Sequence, residues 1–493
     1  MSPLGSGARR MRYAWPWLAL LVLALLGCNR GLWTPDEPRE AEIGREMALA
    51  PGLIPTLDGR RFIEKPPLYY WVMAGAYRLA GGPSVLAARS VSVGSGLATL
   101  ALLYAWAAAV ARSRAAGLTC AFMLASSVQF LVSTHWVLLD PLLMLATTAA
   151  AWAAWWLLAS EGDCRRLRGL LYASLVAALW IKGPIGPALI GAGLAAYVLI
   201  DRPTHWRRLR PVAGCILLAA MLGALALAIY AAGGRAALWE WGYVNHVQRL
   251  LHPGATGHRQ PLLYYVWTLP YAALPWVPAL LEALRPSHWR RVGRAPDAAR
   301  YGALMSAAML LLLSLSATKR ETYLLPVLPL LFLWLGLRAY RWWQQARQPA
   351  IDAGSVGFWR AQVALLCVYA FAAPVAAWVW TRALTPPIAL AMLLALSGAG
   401  ALLLHRRLFR GVPAAAGVCA LATAVTGAAV LLALAGPVLL PGWLLIQNVS
   451  HARDVALPPD YHLVMSQSFG AGRSLALWHR QSSPAAADGA APG

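Results

Sequence analysis

GLWTPDEPREAEIGREM, residues 31–47, and its continuation RFIEKPPLYYW, residues 61–71, hold six of the nineteen Asp and Glu in a chain of 493 residues. The six are Asp36, Glu37, Glu40, Glu42, Glu46 and Glu64, and they follow directly on an apolar segment, residues 13–29. Apolar residues make up 59% of the chain and charged residues 12%, about half the charged share of an ordinary soluble domain. A mostly apolar chain that gathers its carboxylates at one membrane mouth does chemistry or ion handling there, because a charge held at such a boundary is costly without a partner.

Working outward, apolar runs long enough to cross a bilayer recur at 13–29, 85–111, 115–134, 141–160, 169–181, 185–200, 212–232, 263–284, 301–316, 323–338, 359–381, 386–404 and 413–435. The sequence therefore predicts an all-α polytopic membrane protein with about thirteen spans. The net charge of +23 comes from arginines placed in short clusters between apolar runs. That pattern points to membrane lipid and not to nucleic acid. The segment 68–80 tempts a further span. If it crossed, the clusters at 112–114, 165–168, 202–210, 285–300, 338–347 and 406–410 would all lie outside, against the positive-inside rule. It is expected instead to lie along the surface, with Tyr69, Tyr70 and Trp71 at headgroup level. The N-terminus is then cytoplasmic. Loop 30–84, the turn at Asp140, loop 233–262, the turn 317–322 and the tail share the outer face.

Residues 1–435 are expected to form the membrane domain, with 30–84 as its catalytic loop and 233–262 as a second outer loop. The tail, 436–493, is read as short, with a hairpin from 461–468 and 474–479 and a disordered end at 482–493. The six cysteines are scattered without a CxxC pair and read as packing residues. A lipoprotein-like LLGC at 25–28 fits a cleavage site poorly, and the segment is read as the first span.

Asp36 and Glu37 sit on a turn before Pro38. Arg39, Glu42, Arg45 and Glu46 follow at spacings that suit a short amphipathic helix. Glu40, Glu42, Arg45 and Glu46 read best as a solvated face with mutual ion pairs, and Asp36 as functional. Only three lysines accompany 39 arginines: Lys65, Lys182 and Lys319, all at outer turns beside Pro, Gly or Arg. Lysine is a compact point charge and a common phosphate ligand. With Arg320, the three suggest a phosphate or pyrophosphate site, against the plainer reading of snorkelling anchors. Asp140, before Pro141, reads alone as a helix cap; with Asp36 it places two acids from different helices on one face. His246, His252 and His258 lack the companions of a zinc site. With Asn245, Arg249, Arg259 and Tyr264/Tyr265 they suit a loop that contacts sugar or phosphate. No cofactor is required by the sequence, and a divalent metal is left open.

DEPREAEIGREM at 36–47, KPPLYYW at 65–71, Asp140, the KGP turn at Lys182 and KRETYLLP at 319–326 together resemble the GT-C membrane glycosyltransferases. The branch is the one that holds protein O-mannosyltransferases and lipid A aminoarabinose transferases. The resemblance implies transfer of a sugar, aminoarabinose or a hexose, from a polyprenyl-phosphate donor to a lipid A-type, protein or other envelope acceptor. The reaction would take place at the outer face of a bacterial inner membrane. It implies Asp36 as the central acid, with Glu37 and Asp140 beside it. Lys65, Arg39, Glu64, Lys182, Lys319, Arg320 and Tyr323 would bind donor, and His246, Arg249, His258, Tyr264 and Tyr265 would come from the long outer loop. A polytopic lipid or polysaccharide transporter is the competing class. It would place its ionisable groups near mid-membrane, whereas here they gather at one face. A non-catalytic scaffold leaves the lysine distribution unexplained.

Overall fold

A computed structural model describes residue 32 and residues 36–161, 165–201, 203–248, 260–285 and 297–345, with two strands at 461–469 and 473–480. The expected spans 13–29, 359–381, 386–404 and 413–435 lie outside the described residues, as does the expected disordered end.

Helices dominate, as expected for a chain that must satisfy its backbone hydrogen bonds inside lipid. In order they are α1 (Asp36–Leu49), α2 (Leu68–Leu79), α3 (Val85–Ala111), α4 (Arg114–Ala125), α5 (Val128–Thr134), α6 (Asp140–Ala159) and α7 (Arg165–Lys182). There follow α8 (Ile185–Asp201), α9 (Pro211–Trp239), α10 (Tyr264–Ala273), α11 (Val277–Ala283), α12 (Ala298–Leu315) and α13 (Leu328–Gln345). Among the described residues four stretches are long and apolar enough to cross a membrane: Val85–Ala111, Asp140–Ala159, Trp206–Asn245 and Ala298–Leu315. The expected span 115–134 is two helices, α4 and α5, bent by 70°. The bend falls at Ser126–Ser127, whose hydroxyls turn back to carbonyls of the preceding turn. Trp276 Nε1 also donates to Ser126 Oγ at 3.0 Å, tying the bend to the junction of α10 and α11. The expected span 263–284 is likewise broken, into α10 and α11.

The core forms where α3, α4, α6, α8, α12 and α13 meet. Tyr301 of α12 is fully buried among Trp106, Trp155 and Tyr197, and its hydroxyl donates to the Ala151 carbonyl at 2.9 Å. Small residues let the helices approach. A Cβ on Gly302 of α12 would stand 2.6 Å from the Leu330 carbonyl oxygen of α13.

Outside the bundle, α1 and α2 pack together against one end of it. Between them a two-stranded hairpin, β1 (Thr56–Leu57) and β2 (Arg60–Arg61), turns on Asp58 and Gly59 at φ 54° and 68°. Asp-Gly is the pair such a left-handed turn requires. Glu46 of α1 accepts the Gly59 N–H at 3.2 Å and holds the turn in place. Gly44 of α1 lies where any Cβ would meet the Met73 sulfur of α2 at 2.3 Å. As expected, α2 is a short helix beside the bundle, but its aromatic residues are not at a lipid surface. Tyr69 and Tyr70 are fully buried against protein, because α1, α3 and α7 cover that side. Trp71 alone of the three is partly exposed, donating to the Gly52 carbonyl and resting on Trp180. The tail residues read as a hairpin do pair, as antiparallel strands β3 (Tyr461–Phe469) and β4 (Arg473–Arg480), and β3 runs alongside α1.

Candidate active site

The first turn of α1 sends its two acids in different directions. Glu37 is fully buried and faces α3, where the Arg89 guanidinium, equally buried, donates to both its oxygens at 3.1 and 3.2 Å. Glu37 Oε1 also accepts the Val137 N–H at 2.8 Å, from the loop that leads to Asp140. Ser92 of α3 secures the next residue by exchanging hydrogen bonds with Leu138. These contacts fix α1, α3 and the start of α6 relative to one another. Glu37, expected in the site by its sequence position, thus lies beneath it.

Asp36 faces the other way. Arg39 Nη2 donates to Asp36 Oδ1 at 2.8 Å, and Arg320 Nη2 donates to Oδ2 at 2.7 Å from 284 residues away. Arg39 Nη2 also reaches Glu40 Oε1 at 2.9 Å, and Lys65 Nζ donates to that same oxygen at 2.6 Å. Tyr70 donates to the second Glu40 oxygen at 2.7 Å. Three cations and two carboxylates therefore form one cluster with a formal excess of one positive charge. The carboxylates are buried, while Arg39, Lys65 and Arg320 keep 27%, 18% and 31% of their side chains exposed. The cations face outward.

A second pair adjoins the first. Lys182, at the end of α7, donates to Asp140 at the start of α6, and its ammonium lies 4.2 Å from the Tyr323 ring centre. Asp140 and Tyr323 both act electrostatically on Arg320, so the two groups share one field. The segment carrying Arg320 is braced from α10: Tyr265 donates to the Arg320 carbonyl and Tyr264 to Glu321, each at 3.2 Å. Lys319, by contrast, is turned inward and donates to the Gln260 and Ser316 carbonyls. It braces the loop and does not join the cations of the cluster. Glu64 is half-buried within electrostatic reach of Arg39. The His246 backbone lies in the π-helical turn Glu240–Gln248; Arg249 and His258 lie outside the described residues.

The electrostatics follow from this packing. Burial pushes the Asp36 carboxyl upward, but Arg320 and Arg39, with Lys65 behind them, outweigh it and hold the group below its usual range. Burial also opposes the charge on Glu40, yet Lys65 and Arg39, with hydrogen bonds from Lys65 and Tyr70, hold it at about 2. Glu42 is paired with Arg45 through both oxygens at 2.6 and 2.9 Å and is shifted upward, chiefly by burial. Both acids in the middle of the cluster are thus ionised and surrounded by cations. Among the described residues no group of three or more His, Cys, Asp and Glu is arranged to hold a metal ion. Such an arrangement suits an anion that competes for the guanidinium and ammonium groups while a carboxylate stays at hand.

Two participants were hidden in the sequence. Glu40 reads as part of a solvated face, yet it is the hub that holds Lys65 and Arg39. Arg89 lies five residues into an apolar run, where a lone cation calls for a buried partner; the structure supplies Glu37.

The family model described as dolichyl-phosphate-mannose-protein mannosyltransferase matches residues 17–240. Over 312 residues the chain is 30% identical to an undecaprenyl phosphate-alpha-4-amino-4-deoxy-L-arabinose arabinosyl transferase of Pseudomonas aeruginosa, covering 62% of this chain and 56% of that one. It is 33% identical to the protein of the same description in Edwardsiella ictaluri over 326 residues, 63% of this chain and 57% of the relative. The chain thus spans less than two thirds of the length of these relatives. In structure it resembles ArnT from Cupriavidus metallidurans bound to undecaprenyl phosphate, with TM-score 0.67 and 22% identity over 86% of this chain and 77% of that one. These likenesses bear out the resemblance drawn from the motifs, and the structural one identifies the fold.

Proposed function

Taking a multi-pass membrane protein of the GT-C glycosyltransferase fold as the premise, we propose that this chain transfers a sugar from a polyprenyl-phosphate donor to an envelope acceptor. The observation that carries the proposal is Asp36 shared between Arg39 and Arg320, with Lys65 one carboxylate away, at the end of the helix bundle. The donor phosphate binds the exposed faces of these three cations. During transfer the bond between the anomeric carbon and the phosphate oxygen breaks, and its electron pair passes to the phosphate. Preorganised cations are worth most where such charge develops.

An acceptor hydroxyl forms the new bond to the anomeric carbon and gives its proton to Asp36. A carboxylate held low by two guanidiniums is a weak base. Phosphate drawn to Arg39 and Arg320 loosens that hold, so donor binding itself raises the basicity of Asp36. Where the acceptor is a phosphate, already ionised, Asp36 orients it instead. Asp140, neutralised by Lys182, shapes the wall on the Tyr323 side. The relatives, named for undecaprenyl phosphate-linked aminoarabinose, support a polyprenyl-phosphate sugar as the donor. The acceptor in this reading is of the lipid A type, and the arginine clusters support a cytoplasmic N-terminus with the site on the opposite, periplasmic face of the inner membrane. Purified protein is incubated with polyprenyl-phosphate sugars and candidate acceptors while release of polyprenyl phosphate is followed. Turnover in the wild type that is lost in Asp36→Asn supports the proposal. Turnover that survives the substitution moves the chemistry elsewhere, and lipid binding without turnover from any donor overturns the reading.

A further inference from the structure

Towards the other end of α7, about 9–21 Å along the helix from Lys182, an open crevice of about 550 Å³ separates α7 from α9. Arg168, Tyr172 and Val176 line one side; Arg210, Gly214 and Leu217 line the other. The two helices touch closely at one place, where the Tyr172 ring lies against Gly214 so tightly that a Cβ there would stand 2.0 Å from it. The Tyr172 hydroxyl donates to the Leu209 carbonyl at 2.6 Å and fixes the turn that precedes α9. On either side of that contact α9 is exposed at Val212 (73%) and Ile216 (65%), in a stretch long and apolar enough to span a bilayer, while further along Leu225 and Ile229 are buried.

The two charged side chains that line the crevice, Arg168 and Arg210, are both positive. Arg168 donates to the Arg208 carbonyl, and Arg208 to the Ser160 carbonyl. Among the described residues no ion pair joins Arg168, Arg207, Arg208 or Arg210 to a carboxylate. Both α7 and α9 begin at this mouth, so their positive helix ends add to the arginine field. An apolar slot open to the bilayer beneath a cationic mouth matches a molecule with acyl chains and a negative headgroup.

We propose that the α7–α9 crevice binds an anionic phospholipid, with its phosphate on Arg168 and Arg210 and an acyl chain along Val176, Ile216 and Leu217. The site faces away from the Asp36 cluster and takes a structural lipid, not the sugar donor. The test uses the full chain in detergent micelles, with phosphatidylglycerol and phosphatidylcholine of the same acyl chains, and retained lipid is counted by native mass spectrometry. Phosphatidylglycerol is expected to be retained preferentially. Arg168→Gln with Arg210→Gln should weaken it about thirtyfold, the effect of removing two cations near a membrane surface. Arg112→Gln with Arg114→Gln, in a separate loop, should change it less than about twofold. Ala213→Trp fills the exposed side of the crevice without altering charge and should also release the lipid, which keeps the test decisive if the double arginine variant fails to fold. Equal retention of the two lipids, an equal loss in the Arg112/Arg114 variant, retention unchanged in Ala213→Trp, or displacement by millimolar inorganic phosphate would each overturn the proposal.

Discussion

Asp36 and Glu37 open the same helix, yet Glu37 is sealed against a fully buried arginine while the two guanidiniums on Asp36 are about 30% exposed. Each carboxylate has a guanidinium partner, so pairing alone does not separate structure from chemistry. Access of the cations to a ligand does. A fully buried pair recovers its desolvation only through mutual contact and has nothing left to offer a substrate. A pair whose cations face outward can exchange one anion for another.

The contrast is broken most sharply at Arg89. Arg89→Met leaves Glu37 buried without its guanidinium partner, and should lower stability by about 3–5 kcal/mol, seen as a fall in the melting temperature of the detergent-solubilised protein. Adding Glu37→Gln, which still accepts from the Val137 N–H, should restore much of that loss. Asp36→Asn is the reciprocal experiment: transfer should fall by about 10²–10³-fold with the melting temperature nearly unchanged. Equal damage to stability and turnover at both positions would erase the distinction. Lys65→Ala should raise the donor concentration needed for half-maximal rate by about tenfold and lower the maximal rate less, since the lysine acts on the phosphate as a point charge.

The contribution of Glu40 is read through pH. Its folded value of about 2 lies below the ordinary 4.5, so its stabilising contribution is present above pH 4.5 and is lost as pH falls towards 2. The wild type should therefore lose melting temperature more steeply than Glu40→Gln across that window. Parallel curves would show that Lys65 and Arg39 do not depend on this hub.

How much of this the sequence disclosed depends on whether the interaction was local. Span 85–111 was legible to the residue as α3, because its apolar length suffices; in the structure the Ser84 hydroxyl accepts the Ala87 N–H and caps it. The bend at Ser126–Ser127 was not, since both halves are apolar and the partner that fixes it, Trp276, lies 150 residues on. Asp36, Lys65, Asp140, Lys182 and Arg320 were picked out as rare charges at helix ends, and the fold gathers them. Glu40 was misread because i,i+3 and i,i+4 charges look the same on a solvated helix and a covered one. Only the arrival of Tyr70 and Lys65 from the next segment decides between them. Lys319 was grouped with Arg320 by sequence, but successive residues in an extended turn point opposite ways, and only one reaches the cluster.

The span of 284 residues between Asp36 and Arg320 has a consequence for biogenesis. Asp36 is synthesised early and meets Arg39 within its own helix, whereas its second guanidinium leaves the ribosome only after more than half the chain has followed. The latch beneath it closes sooner, since Arg89 and Val137 trail Glu37 by 52 and 100 residues. A nascent chain therefore carries a finished foundation long before it carries the finished Asp36 cluster, and an incomplete protein in the membrane holds its acid with half of its clamp.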